Sequence, residues 1–318
     1  MSHRVPKTNR ERVPAPKSGP LRARLGGVAA LLFALGAAIY VVRRREVFDG
    51  GEALEPQWLV VALAAETALL GMRALILRRL CRIASCHLGG SEAAGLVAWS
   101  SLASYIAPVV GGGALRAAYL KRRHGLSYAA YLGVFGSSFA LVFGFAAALG
   151  LTVLAGSELV TAPARWWLLA GFAAVVVAAA MLLAWPFPLP RGDGRLPTTL
   201  AQVTAVWKAL RAPDFAFLTV LATSYLAAAG LSTGATFATV GWPLTPQGAL
   251  LVTSLGELSL LLNVTPGGVG VLETALAAGG ALLSVPLAAA LVAGGFRRIA
   301  ALVVTALTAV IAQPLRGG

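Results

Sequence analysis

Three stretches of the chain, Ser127–Ala155, Trp166–Pro188 and Phe215–Ala238, contain no charged residue. A helix needs about 20 mostly apolar residues to cross a hydrocarbon core of about 30 Å, so each stretch predicts a membrane span. Gly26–Val42, Trp58–Leu77 and Pro286–Gln313 extend the set to six. Of the 318 residues, 58% are hydrophobic and only 12% charged, about half the charge of a soluble domain. The expectation is an all-α polytopic membrane protein with no soluble catalytic domain. Residues 25–318 form one membrane domain behind a basic tail, residues 1–24.

Two other apolar stretches do not read as plain helices. Ser91–Arg122 is interrupted at Pro108-Val-Val-Gly-Gly-Gly113, and Gln247–Leu283 at Asn263-Val-Thr-Pro-Gly-Gly-Val-Gly270. Proline removes a backbone donor and clashes with the preceding turn, and clustered glycines lower the cost of leaving helical geometry. Irregular backbone at membrane depth survives only when buried in protein or lining a cavity. Both stretches predict re-entrant hairpins.

Basic residues orient the chain, because Lys and Arg concentrate in cytoplasmic loops. Arg78, Arg79 and Arg82 follow the second span, Lys121-Arg122-Arg123 close the first broken stretch, and Arg191, Arg195, Lys208 and Arg211 separate the fourth and fifth spans. All three groups, and both termini, are placed on the cytoplasmic side of the cell (inner) membrane. Glu158 and Arg165 mark an outer loop. The second broken stretch has no basic residue at either mouth and is placed as entering from outside. Arg43–Arg45, on the outer side, is the one departure. Two halves result, residues 25–155 and 156–318, each running span, span, hairpin, span from opposite sides. Gly113-Ala-Leu-Arg116 aligns with Gly270-Val-Leu-Glu273, as an inverted repeat with discontinuous helices requires.

The net charge of +14 is partly local: residues 1–24 hold seven Arg or Lys against Glu11. With four prolines and few apolar residues this tail predicts disorder. Beside a span it reads as an anchor to anionic lipid rather than a nucleic-acid arm. Gly26–Val42 is followed by Arg43-Arg44-Arg45 instead of a small-residue cleavage site, so it is expected to stay as a span. Cys81 and Cys86 lie near cytoplasmic basic residues and are expected to be thiols. His3, His87 and His124 fall outside the spans, which excludes a His-based intramembrane metal centre; no cofactor is expected. Between the fourth and fifth spans, Leu200, Val203, Val206, Trp207 and Leu210 recur at helical spacing beside Lys208. They predict an interfacial amphipathic helix.

The chemistry rests on the ionisable residues within these segments: Glu66, Arg73, Arg116, Glu257, Glu273, Arg297 and Arg298. Each costs about 2.5–3.5 kcal/mol at a helix centre and needs a partner or water. Glu66 and Arg73 are about 10 Å apart along one helix and should meet other helices; Arg73 is read as snorkelling to the interface. Arg116 and Glu273 follow the two breaks at equivalent positions and are expected to pair across the repeat axis. Arg297 and Arg298 point about 100° apart, so both face inward only if the interior is wide or polar. Pairing with Glu257 or Glu273 for packing alone is the other reading. Gly111–Gly113 lacks the Gly-Lys-Ser/Thr ending of a nucleotide loop. Each break nevertheless sets a half-helix N-terminus at depth, where N–H groups attract carboxylate or phosphate. Gly112, Gly113, Asn263, Pro266, Gly267, Gly268 and Gly270 become candidate positions around a lipid headgroup, unless the glycines serve only close packing.

Pro266-Gly-Gly-Val-Gly-Val-Leu-Glu273 resembles the signature of the lysylphosphatidylglycerol synthase transmembrane-region family, and Gly111-Gly-Gly-Ala-Leu-Arg116-Ala-Ala-Tyr-Leu-Lys-Arg resembles its other signature. The similarity runs from about the first span to the last. It implies a flippase-like membrane domain, with Arg116, Pro266, Gly267, Gly268, Gly270 and Glu273 as functional positions. Many members carry an acid where this chain has Gly113, and an arginine near Gly136-Ser137-Ser138; both are missing here. The synthases' soluble transferase domain is expected to be absent, since the chain ends at Gly318. The expectation is a non-enzymatic lipid translocase for an anionic headgroup. A carrier of a small soluble solute and a scaffold for a partner enzyme are the alternatives.

Overall fold

The computed structural model describes residues 55, 57–106, 111–184, 195–210, 212–262, 265 and 268–312. The basic tail, the expected first span Gly26–Val42 and half of each glycine-rich break lie outside them. Ten α-helices follow: α1 Gln57–Ile83, α2 Gly90–Ile106, α3 Gly111–His124, α4 Tyr128–Ala155, α5 Ala162–Ala184, α6 Arg195–Ala209, α7 Ala212–Thr239, α8 Pro246–Ser259, α9 Val271–Leu282 and α10 Leu287–Ala312. Five of them, α1, α4, α5, α7 and α10, are long and apolar enough to cross a membrane. They correspond to the second through sixth expected spans.

The helix ends follow local chemistry. Ser127 caps α4 by accepting from Ala130 N–H at 3.1 Å, and Thr245 caps α8 through Gly248 N–H at 3.1 Å, with Pro246 as first helical residue. Each cap satisfies an N–H that the first turn leaves unpaired. α1 stops at Ser85, whose φ of 60° lets Cys86 N–H return to Cys81 O at 2.8 Å.

Small side chains hold the bundle together. Lipid tails are as apolar as leucine, so helices in a bilayer associate by close packing rather than by hydrophobic transfer. Ala62, Ala146, Ala147, Ala229, Ala289, Ala290 and Ala293 are fully buried accordingly. α1 packs on α7 and α10, and α4 on α5, α6 and α8. α5 meets mainly α4, and its Trp166 and Trp167 are exposed at one end, as interfacial aromatics are.

The two short-helix pairs are antiparallel hairpins. Arg116 of α3 meets Ser100 of α2, and Tyr119 and His124 meet Glu92 further along. In the second pair, Gly256 of α8 faces Leu272 and Leu276 of α9, while Gly279 faces Val252 and Leu255. Each hairpin leans on a long helix from the other half of the chain: α10 packs on α2, and α4 packs on α8.

Candidate functional site

A cavity of about 290 Å³ lies among α1, α2, α3, α4, α7 and α8. Its walls differ in chemistry. Arg73, Ser100, Ser101, Ser104, Arg116, Tyr225 and Glu257 make a polar side. Opposite runs an aromatic column of α4, at a spacing of four residues. Tyr131–Phe135, Phe135–Phe139 and Phe139–Phe143 ring centroids stand 5.9, 4.3 and 4.8 Å apart.

Gly112 creates the polar side. A Cβ there would collide with Ser100 O and Ser104 Oγ, so only glycine lets α3 lie this close to α2. The approach brings Arg116 Nη2 within 2.6 Å of Ser100 Oγ. Arg116 Nε and Tyr131 Oη are buried and make no hydrogen bond of good geometry among the described residues, although the two side chains interact with each other. Buried polar atoms are nearly always paired in folded proteins, so an unpaired guanidinium nitrogen on the polar side and an unpaired hydroxyl on the aromatic side suit a polar ligand between them.

Arg73 marks a correction. Instead of snorkelling to the interface, it lines the cavity and donates to Tyr225 Oη at 2.5 Å, with its guanidinium 5.2 Å from that ring's centroid. Tyr225 donates in turn to Glu257 Oε2 at 2.8 Å. Arg297 Nη2 donates to Glu257 Oε1 at 3.2 Å, and its Nε lies 3.5 Å from Glu66 Oε1. Ser232 donates to the same Glu66 oxygen at 2.7 Å. Two guanidinium groups thus balance two carboxylates, which makes this buried chain neutral. Arg116 stands outside it, so the cavity wall itself carries two cations against one carboxylate.

A second cluster joins the end of α2 to the start of α9. Arg298 makes a two-oxygen ion pair with Glu273, donates to Gly268 O at 2.9 Å and reaches Tyr105 Oη, near the end of α2, at 3.2 Å. Glu273 also accepts from Gly270 N–H at 2.9 Å, closing the first turn of α9. Gly270 has φ of 86°, a backbone that favours glycine.

The expected residues therefore divide. Gly112, Gly113, Arg116 and Glu257 meet at the cavity; Gly268, Gly270, Glu273 and Arg298 meet at the tips; Arg297 belongs to the charge chain through Glu257. Asn263, Pro266 and Gly267 lie outside the described residues. The expected Arg116–Glu273 pair is not formed. Glu273 turns back to its own helix start and is taken by Arg298, while Arg116 is directed to Ser100. Both Arg297 and Arg298 face the interior, because the polar residues they meet arrive from different helices. Tyr225, the α2 serines and the aromatic column were not singled out from sequence, although Tyr131, Phe135, Phe139 and Phe143 recur every four residues.

At the basic end of the first hairpin, outside the five spans, Glu92 gathers Tyr119 Oη at 2.6 Å, His124 Nε2 at 2.8 Å, Arg123 Nε at 3.3 Å and Gly89 N–H at 3.2 Å. Burial pushes its carboxyl upward, but the bonds from Tyr119, His124 and Gly89 outweigh this and hold it below the usual carboxylate range. Tyr119 is pushed up to about 12 by burial and by that carboxylate.

No curated protein and no solved structure matches the chain. The model of one family, the lysylphosphatidylglycerol synthase TM region, matches residues 25–309, which take in both hairpins, the cavity and the Arg298 cluster; the chain belongs to that family.

Proposed function

We propose that this protein is a lipid translocase of the cell membrane that moves an anionic phospholipid headgroup through the central cavity. The observation that carries the reading is the Arg116 guanidinium, outside any ion pair among the described residues, beside Arg73 and three serines and facing an aromatic wall. Guanidinium and hydroxyl groups suit a phosphate. The aromatic column offers an apolar track for whatever the phosphate is attached to. A headgroup arriving at Arg116 and Arg73 replaces the water it loses with charge-assisted bonds, while its tails stay in lipid.

In this reading the chain is an inverted repeat of six spans, with α2–α3 and α8–α9 as re-entrant hairpins from opposite sides and both termini cytoplasmic. The reciprocal packing of α10 on α2 and α4 on α8 supports the repeat. The Arg298 cluster supports hairpin tips that meet at mid-depth, since it links Tyr105 to Gly268 and Glu273. No bond is made or broken in the substrate, so the role is transport and not catalysis.

Purified protein in proteoliposomes carrying a panel of headgroup-labelled lipids tests this. Label exchanged between leaflets should exceed that of empty liposomes for anionic lipids. Arg116→Gln should slow it about 10- to 100-fold, the effect of losing a hydrogen bond to a charged group worth about 1.5–3 kcal/mol. Equal exchange by wild type and Arg116→Gln would remove the proposal. Uptake of a soluble anion without lipid movement would assign the cavity to a solute carrier instead.

A further inference from the structure

A second basic pocket lies away from the cavity, where α1 ends, α6 ends and α7 begins. It encloses about 450 Å³ and is bounded by Arg79, Arg82, Ile83, Lys208, Ala209 and Asp214. None of these lines the central cavity. Helix dipoles account for single charges here: Arg82 and Lys208 stand in last turns, and Asp214 stands in a first turn. They do not account for three cations converging from two helices on one recess.

Charge inside the pocket is unevenly satisfied. Arg79 is committed, forming an ion pair with Asp214 and lying 5.3 Å from the Phe217 ring centroid. Arg82 and Lys208 are exposed and form no ion pair among the described residues. Next to the pocket, α7 presents exposed Phe217 and Val220 at a spacing of three, on one helix face. A two-cation recess joined to an exposed apolar strip fits an anion that carries a tail.

We propose that this pocket holds the phosphate of an anionic phospholipid, bound as a resident and not as transported cargo. The lipid's phosphate sits between Arg82 and Lys208, and its chains lie along Phe217 and Val220. Such a lipid braces α6, whose Trp207 donates to Gly133 O of α4 at 3.2 Å, behind the aromatic column. The inference stands independently of transport through the cavity.

The test uses the full-length protein and phosphatidylglycerol. Native mass spectrometry from mixed micelles should show phosphatidylglycerol retained at least about tenfold more than phosphatidylcholine, a difference of about 1.4 kcal/mol. Arg82→Gln with Lys208→Gln should remove one retained phosphatidylglycerol per protein, and Arg122→Gln, an exposed cation that lines neither this pocket nor the cavity, should keep it. On unaltered protein, a headgroup-photoreactive phosphatidylglycerol should cross-link to peptides from the end of α1, the end of α6 or the start of α7. Undiminished retention in the double variant, or cross-links confined to other helices, would overturn the assignment. Inorganic phosphate distinguishes the two sources of the anion. If millimolar phosphate displaces the lipid and raises the thermal midpoint equally well, the pocket is a soluble-anion site and the lipid assignment fails.

Discussion

Arg297 is 4% exposed and holds two carboxylates from different helices, Glu66 of α1 and Glu257 of α8. An uncompensated ion at that depth would be expelled or neutralised, so each member of the chain from Ser232 to Arg73 is a condition for the others. Glu92 shows the same dependence where water reaches it. Its folded carboxyl titrates lower than in the unfolded chain, so its stabilisation is complete above the ordinary glutamate value of about 4.3 and is lost as pH falls through the depressed one. Thermal midpoints of wild type and Glu92→Gln should therefore differ most near neutral pH and converge toward about pH 3. A gap of constant size across that range would show that Glu92 acts by packing and not as a charge.

Among elements, the hairpins matter most because neither stands alone. α2 and α3 approach through Gly112, and α8 and α9 through Gly256 and Gly279; Arg298 then ties the end of α2 to the start of α9. Truncating one partner of a buried ion pair costs about 3–5 kcal/mol, because the other charge is stranded. Arg298→Leu and Glu273→Leu should each destabilise strongly, and the double variant should cost clearly less than their sum. Thermal unfolding in one detergent measures this cycle. The parallel cycle between Arg116 and Glu273 should be additive. Coupling in the second cycle and none in the first would reverse the pairing described here.

At the scale of the whole molecule, the orientation we propose from the basic residues puts the Arg79–Lys208 pocket and the Glu92 cluster on the cytoplasmic face and the loop after α4 outside. Glu158→Cys and Thr198→Cys, probed singly with an impermeant thiol reagent on intact cells, should be modified only at position 158. The native Cys81 and Cys86 are buried and add little background. Modification at 198 alone would turn the molecule over, and with it the side from which each hairpin enters.

Hydropathy alone places α1, α4, α5, α7 and α10, because crossing lipid is a demand that each segment meets by its own length and composition. The short hairpin helices are legible for a related reason: Pro and Gly leave a mark on local sequence where a helix cannot continue. Family membership is legible too: the motifs Gly111–Arg122 and Pro266–Glu273 suggest it, and the family model matches residues 25–309. Charge partners are legible only in part: Arg297 and Arg298 pair with Glu257 and Glu273, as one reading of the sequence has it, but the other partners are not. Arg73 meets Tyr225, Ser232 meets Glu66 and Arg298 meets Tyr105 across 152, 166 and 193 residues of chain. Equivalent positions after the two breaks suggested that Arg116 faces Glu273, yet pairing depends on helix rotation and packing depth, which a repeat pattern does not encode. Glu273 turns toward Gly270 and Arg298 because α10 lies against α9, and Arg116 is left facing the cavity because Gly112 brings α3 onto α2.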